Sequence, residues 1–154
     1  MIRLRAMTEA EYVRFRSLDR KNYTQSIIRA YGLDDDEAQR EALKLGEDIL
    51  KEGMRTPGHE FFTAVDDISG GAAGYLWCEV NREKRRAFLY FVVVEEADRG
   101  RGLGAAAIGA LEAQLRSGGI RSLGLHVFSH NTSALRLYER FGFRVTSVNM
   151  QKDL

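Results

Sequence analysis

Val92-Val93-Val94-Glu95-Glu96-Ala97-Asp98-Arg99-Gly100-Arg101-Gly102-Leu103-Gly104-Ala105 is the stretch on which the reading of this chain turns. Its first residues close a continuous apolar run, Phe88 to Val94, of the kind that forms a strand buried on both faces. Its last residues open a helix expected over Leu103 to Ser117. There Leu103, Ala107, Leu111 and Leu115 share one stripe, and Gly118-Gly119 forms the stop. Between the two, glycines at 100, 102 and 104 let the backbone approach a ligand closely and adopt conformations closed to other residues. The N–H groups at the start of the helix lack intrahelical partners and carry the positive end of its dipole. Arg99 and Arg101 add charge, and Ala105, Ala106 and Ala107 keep the first turn slim. The combination predicts a backbone cradle for an anion, and a pyrophosphate fits it best.

Two familiar phosphate-binding devices fail on the flanks. Gly100-x-Gly102-x-x-Ala105 satisfies a dinucleotide-binding fingerprint taken alone. A Rossmann turn, however, leaves its strand directly into the first glycine and places an acid about 20 residues later on the ribose. Here five residues separate Val94 from Gly100, and the next strand ends Leu125-His126-Val127-Phe128 without an acid. A P-loop needs Gly-Lys-Ser/Thr, which is absent.

Outward from this stretch, Ile2 to Ala6 reads as a short strand. Thr8 and Glu11 form a capping-box pattern for a helix to about Asp19, and Arg20 to Leu33 is ambiguous up to Tyr31-Gly32. A second helix starts at Asp34, with Ala38, Ala42, Leu45 and Ile49 on one face and Gly53 as its stop. Strands follow at Glu60 to Val65, Ala72 to Val80 and Arg86 to Val94. After the Leu103 helix come a strand at Ser122 to Val127, a helix at Asn131 to Phe141 capped by Asn131, and a last strand at Phe143 to Met150. The order is βααβββαβαβ in one domain spanning 1–154, an α/β chain of mixed, α+β type.

Composition removes several function classes. The 23 basic residues nearly balance 22 acidic ones, for a net charge of +1, so there is no electrostatic footprint for nucleic acid. No apolar run approaches the ~20 residues that span a bilayer. The N-terminus is charged from Arg3 and does not read as a signal peptide, so a cytoplasmic protein without a membrane partner is expected. Cys78 is the only cysteine, which rules out an intrachain disulfide and a four-cysteine zinc site. It reads as a buried structural thiol. His126 and His130 lie on a strand-to-loop segment with no third ligand nearby, so no metal is expected. Hydrolase chemistry lacks the Gly-x-Ser-x-Gly elbow.

Val94-x-x-x-x-Arg99-Gly100-x-Gly102-x-Gly104 resembles the acyl-CoA signature of the GNAT acetyltransferase superfamily, Gln/Arg-x-x-Gly-x-Gly/Ala. Asn131-x-x-Ala134-x-x-Leu137-Tyr138-Glu139-x-x-Gly142-Phe143 is similar to that family's second cofactor segment, and the element order resembles the family fold along the whole chain. The resemblance implies a central, mostly antiparallel sheet splayed between its fourth and fifth strands and flanked by helices. Pantetheine would lie in the gap. It implies acetyl-CoA as acyl donor, no metal, and a small-molecule or protein amine as acceptor, attacked directly in a ternary complex; it also admits a homodimer. Backbone groups of Val92 and Val94, with Val93 between them, would run along the pantetheine. The N–H groups of Arg99, Gly100, Arg101, Gly102, Leu103, Gly104 and Ala105 would hold the pyrophosphate. Asn131 would reach pantetheine with its amide, and Tyr138 would point its hydroxyl at the thioester sulfur.

The chain departs from the family where many relatives carry acids on the fourth strand, since this one reads Phe-Leu-Tyr-Phe-Val-Val-Val from 88 to 94. Glu79 on the preceding strand is then the candidate general base, with Tyr90 as an anchor for water. Tyr23, Tyr31 and the acidic Asp34 to Glu37 turn are candidates for acceptor selection. The same apolar strand leaves open a second function class, a non-catalytic GNAT-like acyl-CoA sensor or interaction domain.

Overall fold

Thr8 starts the first helix with a reciprocal cap. Its hydroxyl accepts the Glu11 N–H at 3.2 Å, while the Glu11 carboxylate accepts the Thr8 N–H at 2.9 Å. Both terminal nitrogens of Arg5 clasp the same carboxylate at 2.8 and 2.9 Å, and this bond holds its pKa down at about 2. The strand that precedes the helix is thereby tied to its first turn.

The computed structural model describes residues 1–154. In chain order it contains β1 (Ile2–Ala6), α1 (Glu9–Tyr31), α2 (Asp35–Ile49), β2 (His59–Asp66), β3 (Ala72–Asn81) and β4 (Arg86–Val94). After these come α3 (Leu103–Ser117), β5 (Ser122–Leu125) and α4 (Thr132–Arg140). Short 3₁₀ turns at Gly53–Arg55 and Glu96–Asp98 precede β2 and α3.

Two expectations change. The first helix does not stop near Asp19 but runs to Tyr31, where Gly32 ends it in a left-handed conformation with its N–H on Ile28 O. Its buried residues are Phe15, Asp19, Thr24 and Ile27, two of them polar, so an apolar period cannot reveal its second half. The strand expected at Phe143 to Met150 does not form. Apolar residues at 143 and 145 share one parity and those at 148 and 150 the other, so neither face of an extended segment is apolar throughout. Val145, Val148 and Met150 are accordingly exposed.

The sheet runs β1-β2-β3-β4-β5. The first four strands are antiparallel, and β5 lies parallel to β4. That last pairing covers only Arg86–Leu89 against Ser122–Leu125. Tyr90 to Val94 therefore have β3 on one side and a gap on the other, the splay expected between the fourth and fifth strands. At Gly74 the backbone of β3 presses so close to β4 that a Cβ would sit 2.5 Å from Val93 O. A bulge between Trp77 and Cys78 places Tyr90 outside the regular register.

Each sheet face carries its own core. Met7, Phe15, Leu50, Phe61, Tyr75, Trp77 and Val93 form the layer under α1 and α2. Leu76, Cys78, Leu89, Ala107, Ile108 and Leu111 belong to the layer under α3, where Leu137, Tyr138 and Phe141 of α4 add to its edge. Cys78 is fully buried, and burial pushes its thiol up to about 12, so it stays protonated and unreactive.

One buried group makes stability depend on pH. Asp19 is 3% exposed and accepts a 2.9 Å bond from Arg16. Burial raises its carboxyl to about 6 against the opposing pull of Arg16 and Arg20. Because the folded value lies above the unfolded one, the stabilisation from this group is complete at low pH and is lost as pH rises through about 6. Between pH ~4.5 and ~7.5 that loss is roughly 2 kcal/mol. Urea denaturation of Asp19→Asn should lack this component, so the gap between variant and parent should change by about that amount across the interval. Parallel curves would show that Asp19 keeps an ordinary carboxyl.

Candidate active site

Six consecutive N–H groups, from Gly100 to Ala105, donate to no acceptor in the protein. The first backbone bond of α3 is Ala106 N–H to Gly102 O. Gly102 caps the helix at φ 73° with no side-chain cap, and Gly100 has φ 79°. A Cβ on Gly102 would meet nothing within 4 Å, so the cradle is open to solvent above this residue. Positive φ at alternate residues turns successive N–H groups toward one concave side, the geometry that receives anionic oxygens.

Both arginines of the loop are engaged, and in different ways. Arg101 donates to Asp66 at 3.0 Å and to Asp98 at 2.8 Å. Asp66 is 1% exposed, and its carboxyl is held below the usual range by the Ile68 N–H and by Arg101. The Arg101 side chain thus fastens the loop to the end of β2, leaving its backbone N–H for a ligand. Arg99 donates through Nε to Val94 O at 3.3 Å.

That bond also shows which way β4 faces. Glu95 N–H bonds to Ala73 O on β3, so by alternation the backbone of Val93 also faces β3. The backbones of Val92 and Val94 face the gap. Val93 enters instead as a side chain, 3% exposed in the core beneath α1 and α2.

Asn131 caps α4 through its side-chain oxygen, which accepts the Ala134 N–H at 3.3 Å and the Ser133 hydroxyl at 3.4 Å. The amide nitrogen remains as a donor. Tyr138, one side of α4 further on, is half-buried and meets Phe143 edge-to-face at 5.7 Å. Burial raises its phenol, so it holds its proton at neutral pH.

Glu79, Tyr90 and Tyr138 line one open cleft between β4, β5, α4 and the C-terminal segment. Glu79 and Tyr138 approach it from opposite faces of the sheet, and no hydrogen bond joins them. Glu79 is 47% exposed at its side chain, and its Oε2 accepts the Tyr90 hydroxyl at 3.3 Å. The same register that pairs Glu79 with Phe88 pairs it on its other side with His59.

His59 escapes the sequence reading, which starts β2 one residue later. It is 7% exposed at its side chain, accepts the Trp77 indole N–H at 2.9 Å, and lies against both Trp77 and Tyr90. The signal was its parity with Phe61, which puts it on the face beneath α1 and α2. Of the candidates for acceptor selection, the two tyrosines meet at Phe128 and the acidic turn stands apart. Tyr23 packs on Phe91 and Phe128, Tyr31 reaches Phe128, and the acids of the Asp34–Glu37 turn cap and open α2.

Residues 15–143 match the model of the Acetyltransferase (GNAT) family. Two uncharacterized N-acetyltransferases of Bacillus subtilis are similar along their whole length. YdgE is 31% identical over 98% of this chain and 97% of its own, and YycN is 34% identical over 99% of each. The crystal structure of YycN superposes with a TM-score of 0.93 over 100% of this chain and 99% of that one, at 33% identity. The spermidine N-acetyltransferase of Vibrio cholerae, solved with CoA and spermine, shares the fold at a TM-score of 0.67 and 20% identity over 95% of this chain and 82% of its own. With the family signature on a cradle of free N–H groups and relatives of this kind end to end, the chain belongs to the GNAT acetyltransferase family.

Proposed function

We propose that this chain transfers an acetyl group from acetyl-CoA to a primary amine by direct attack within a ternary complex. The observation that carries the reading is the row of six free N–H groups, Gly100 to Ala105, at the exit of a strand whose backbone faces a gap. The row receives the pyrophosphate. Val92 and Val94 offer backbone groups to the pantetheine, the Asn131 amide nitrogen adds a donor, and the Val92 N–H polarises the thioester carbonyl. An oxyanion donor of this kind is worth about 3–4 kcal/mol in other acyl transfers.

The amine enters from the side of α1 and α2, and the thiol leaves toward α4. Attack by the amine nitrogen on the carbonyl carbon forms the C–N bond; collapse breaks C–S. The amine must first lose a proton. With a pKa near ~10.4 this costs on the order of 4–5 kcal/mol at neutral pH. Glu79 takes that proton, but not directly. Its register partner on β4 is Phe88, and that of Val92 is Leu76, three residues along β3, or roughly 10 Å. The Tyr90 hydroxyl, bonded to Glu79, bridges the interval together with water. Tyr138 protonates the departing sulfur. A thiol leaving group with a pKa near ~8.5 needs this help less than the amine needs a base.

Thiol release from acetyl-CoA, measured across alkyl, aryl, polyamine and peptide N-terminal amines, tests the proposal. Amine-dependent release with a matching N-acetylated product by mass spectrometry is expected. Tight CoA binding without amine-dependent release from any acceptor would contradict it and leave an acyl-CoA sensor.

A further inference from the structure

One donor bonds an oxygen of Glu79, and a second faces the same oxygen from beyond hydrogen-bond range. The Tyr90 hydroxyl bonds to Oε2 at 3.3 Å, and His59 Nε2 stands 4.0 Å from the same atom. The state of His59 is set from behind. Trp77 Nε1–H donates to His59 Nδ1 at 2.9 Å, which makes Nδ1 an acceptor and leaves the single ring proton on Nε2, facing Glu79.

Trp77 cannot easily turn away. It is 1% exposed, stacked on Tyr90 at 4.5 Å and on Phe61 at 5.9 Å, with the Arg16 guanidinium 5.6 Å from its ring centre. His59 tilts against Trp77 and Tyr90 at 5.8 and 5.7 Å. The charged and titratable groups around the imidazole are Glu79 from β3 and Tyr90 from β4, with Arg16 and Asp19 of α1 beyond the indole. Burial outweighs Glu79 and lowers the imidazole pKa, so His59 is neutral at physiological pH.

We propose that His59, locked by Trp77 as its Nε2–H tautomer, is a positioning residue whose N–H faces Glu79 Oε2 beside the Tyr90 hydroxyl, leaving Oε1 to receive the acceptor's proton. The proposal rests on Glu79 as the base. Its content is that the indole N–H sets the imidazole tautomer, and that the Nε2–H so presented faces the carboxylate and helps to orient it. A merely packed histidine, its tautomer set by Trp77 alone, would leave kcat unmoved when replaced in a variant that still folds.

The test has two arms. In the wild-type protein, ¹⁵N shifts of the His59 ring near pH ~7 should report a bare Nδ1 and a protonated Nε2, as expected where a neighbour's hydrogen bond fixes the tautomer. The opposite tautomer, or an imidazolium, overturns the proposal without any variant having to fold. In the kinetic arm, His59→Leu should lower kcat about tenfold, since the carboxylate loses the group that faces and orients it. The KM for acetyl-CoA should not move. His59→Gln keeps both an oxygen for the indole and an N–H for the carboxylate, and should recover most of the loss. A folded His59→Leu with unchanged kcat overturns the proposal. If Glu79→Gln is inactive in the same series, the base reading survives that result. If Glu79→Gln retains full activity, the base reading falls and this inference with it.

Discussion

Glu79→Gln is expected to lower kcat for amine acetylation by about 10²–10³-fold near pH ~7.5, within the range general bases contribute. The carboxamide keeps the size and can still accept the Tyr90 hydroxyl, so packing changes little. Glu79 is about half exposed, which limits any effect on stability. The KM for acetyl-CoA should stay within about twofold, because the role proposed for the residue is on the acceptor and not on the donor. The deficit should shrink as pH climbs toward the amine's own pKa of ~10.4, where the substrate loses its proton unaided. A variant within about threefold of the parent at neutral pH would mean that water alone frees the amine.

Gly102→Glu should raise the dissociation constant for CoA by about 100-fold or more, as read by titration calorimetry. Two effects add. At φ 73° any side chain strains the backbone by about 1–2 kcal/mol. A carboxylate set beside the pyrophosphate adds repulsion, about 4 kcal/mol at ~4 Å with an effective dielectric near ~20. Because a Cβ here meets no protein atom within 4 Å, the unliganded fold should lose only the backbone part. Gly102→Ala separates the two, with the strain but not the charge. CoA affinity unchanged in Gly102→Glu would remove the cradle from the account.

The architecture of Val94 to Ala105 is legible in sequence because it is local: the strand before, the glycine spacing and the helix after are all visible as letters, and all form. The Thr8–Glu11 cap and the Asn131 cap are equally local, and both form. The length of α1 was hidden because Asp19 and Thr24 occupy its buried face, where a period count looks for apolar residues. Alternation at Phe143 to Met150 overstated a strand whose apolar residues change sides midway.

Glu79 and Tyr90, candidates for the acceptor half of the site, can be named from sequence but not joined. Their hydrogen bond depends on a bulge at Tyr90, and His59 meets Glu79 only through a register that shifts once at Ala64/Val65. Such irregularities are set by packing across the sheet, not by neighbours in the chain. Arg101 shows the converse. Its charge suggests a phosphate ligand, yet the side chain is committed to Asp66, 35 residues away.

The measurement that bears most directly on the donor cradle is the thermal shift produced by acetyl-CoA, set against that produced by adenosine. A ligand held along the whole segment stabilises by about 2.7 kcal/mol at 100 times its dissociation constant. For a chain of this size that corresponds to a rise of roughly 5–10 °C. The account predicts a rise of that order with acetyl-CoA and a far smaller one with adenosine, which lacks both pyrophosphate and pantetheine. Equal shifts for the two ligands would contradict it.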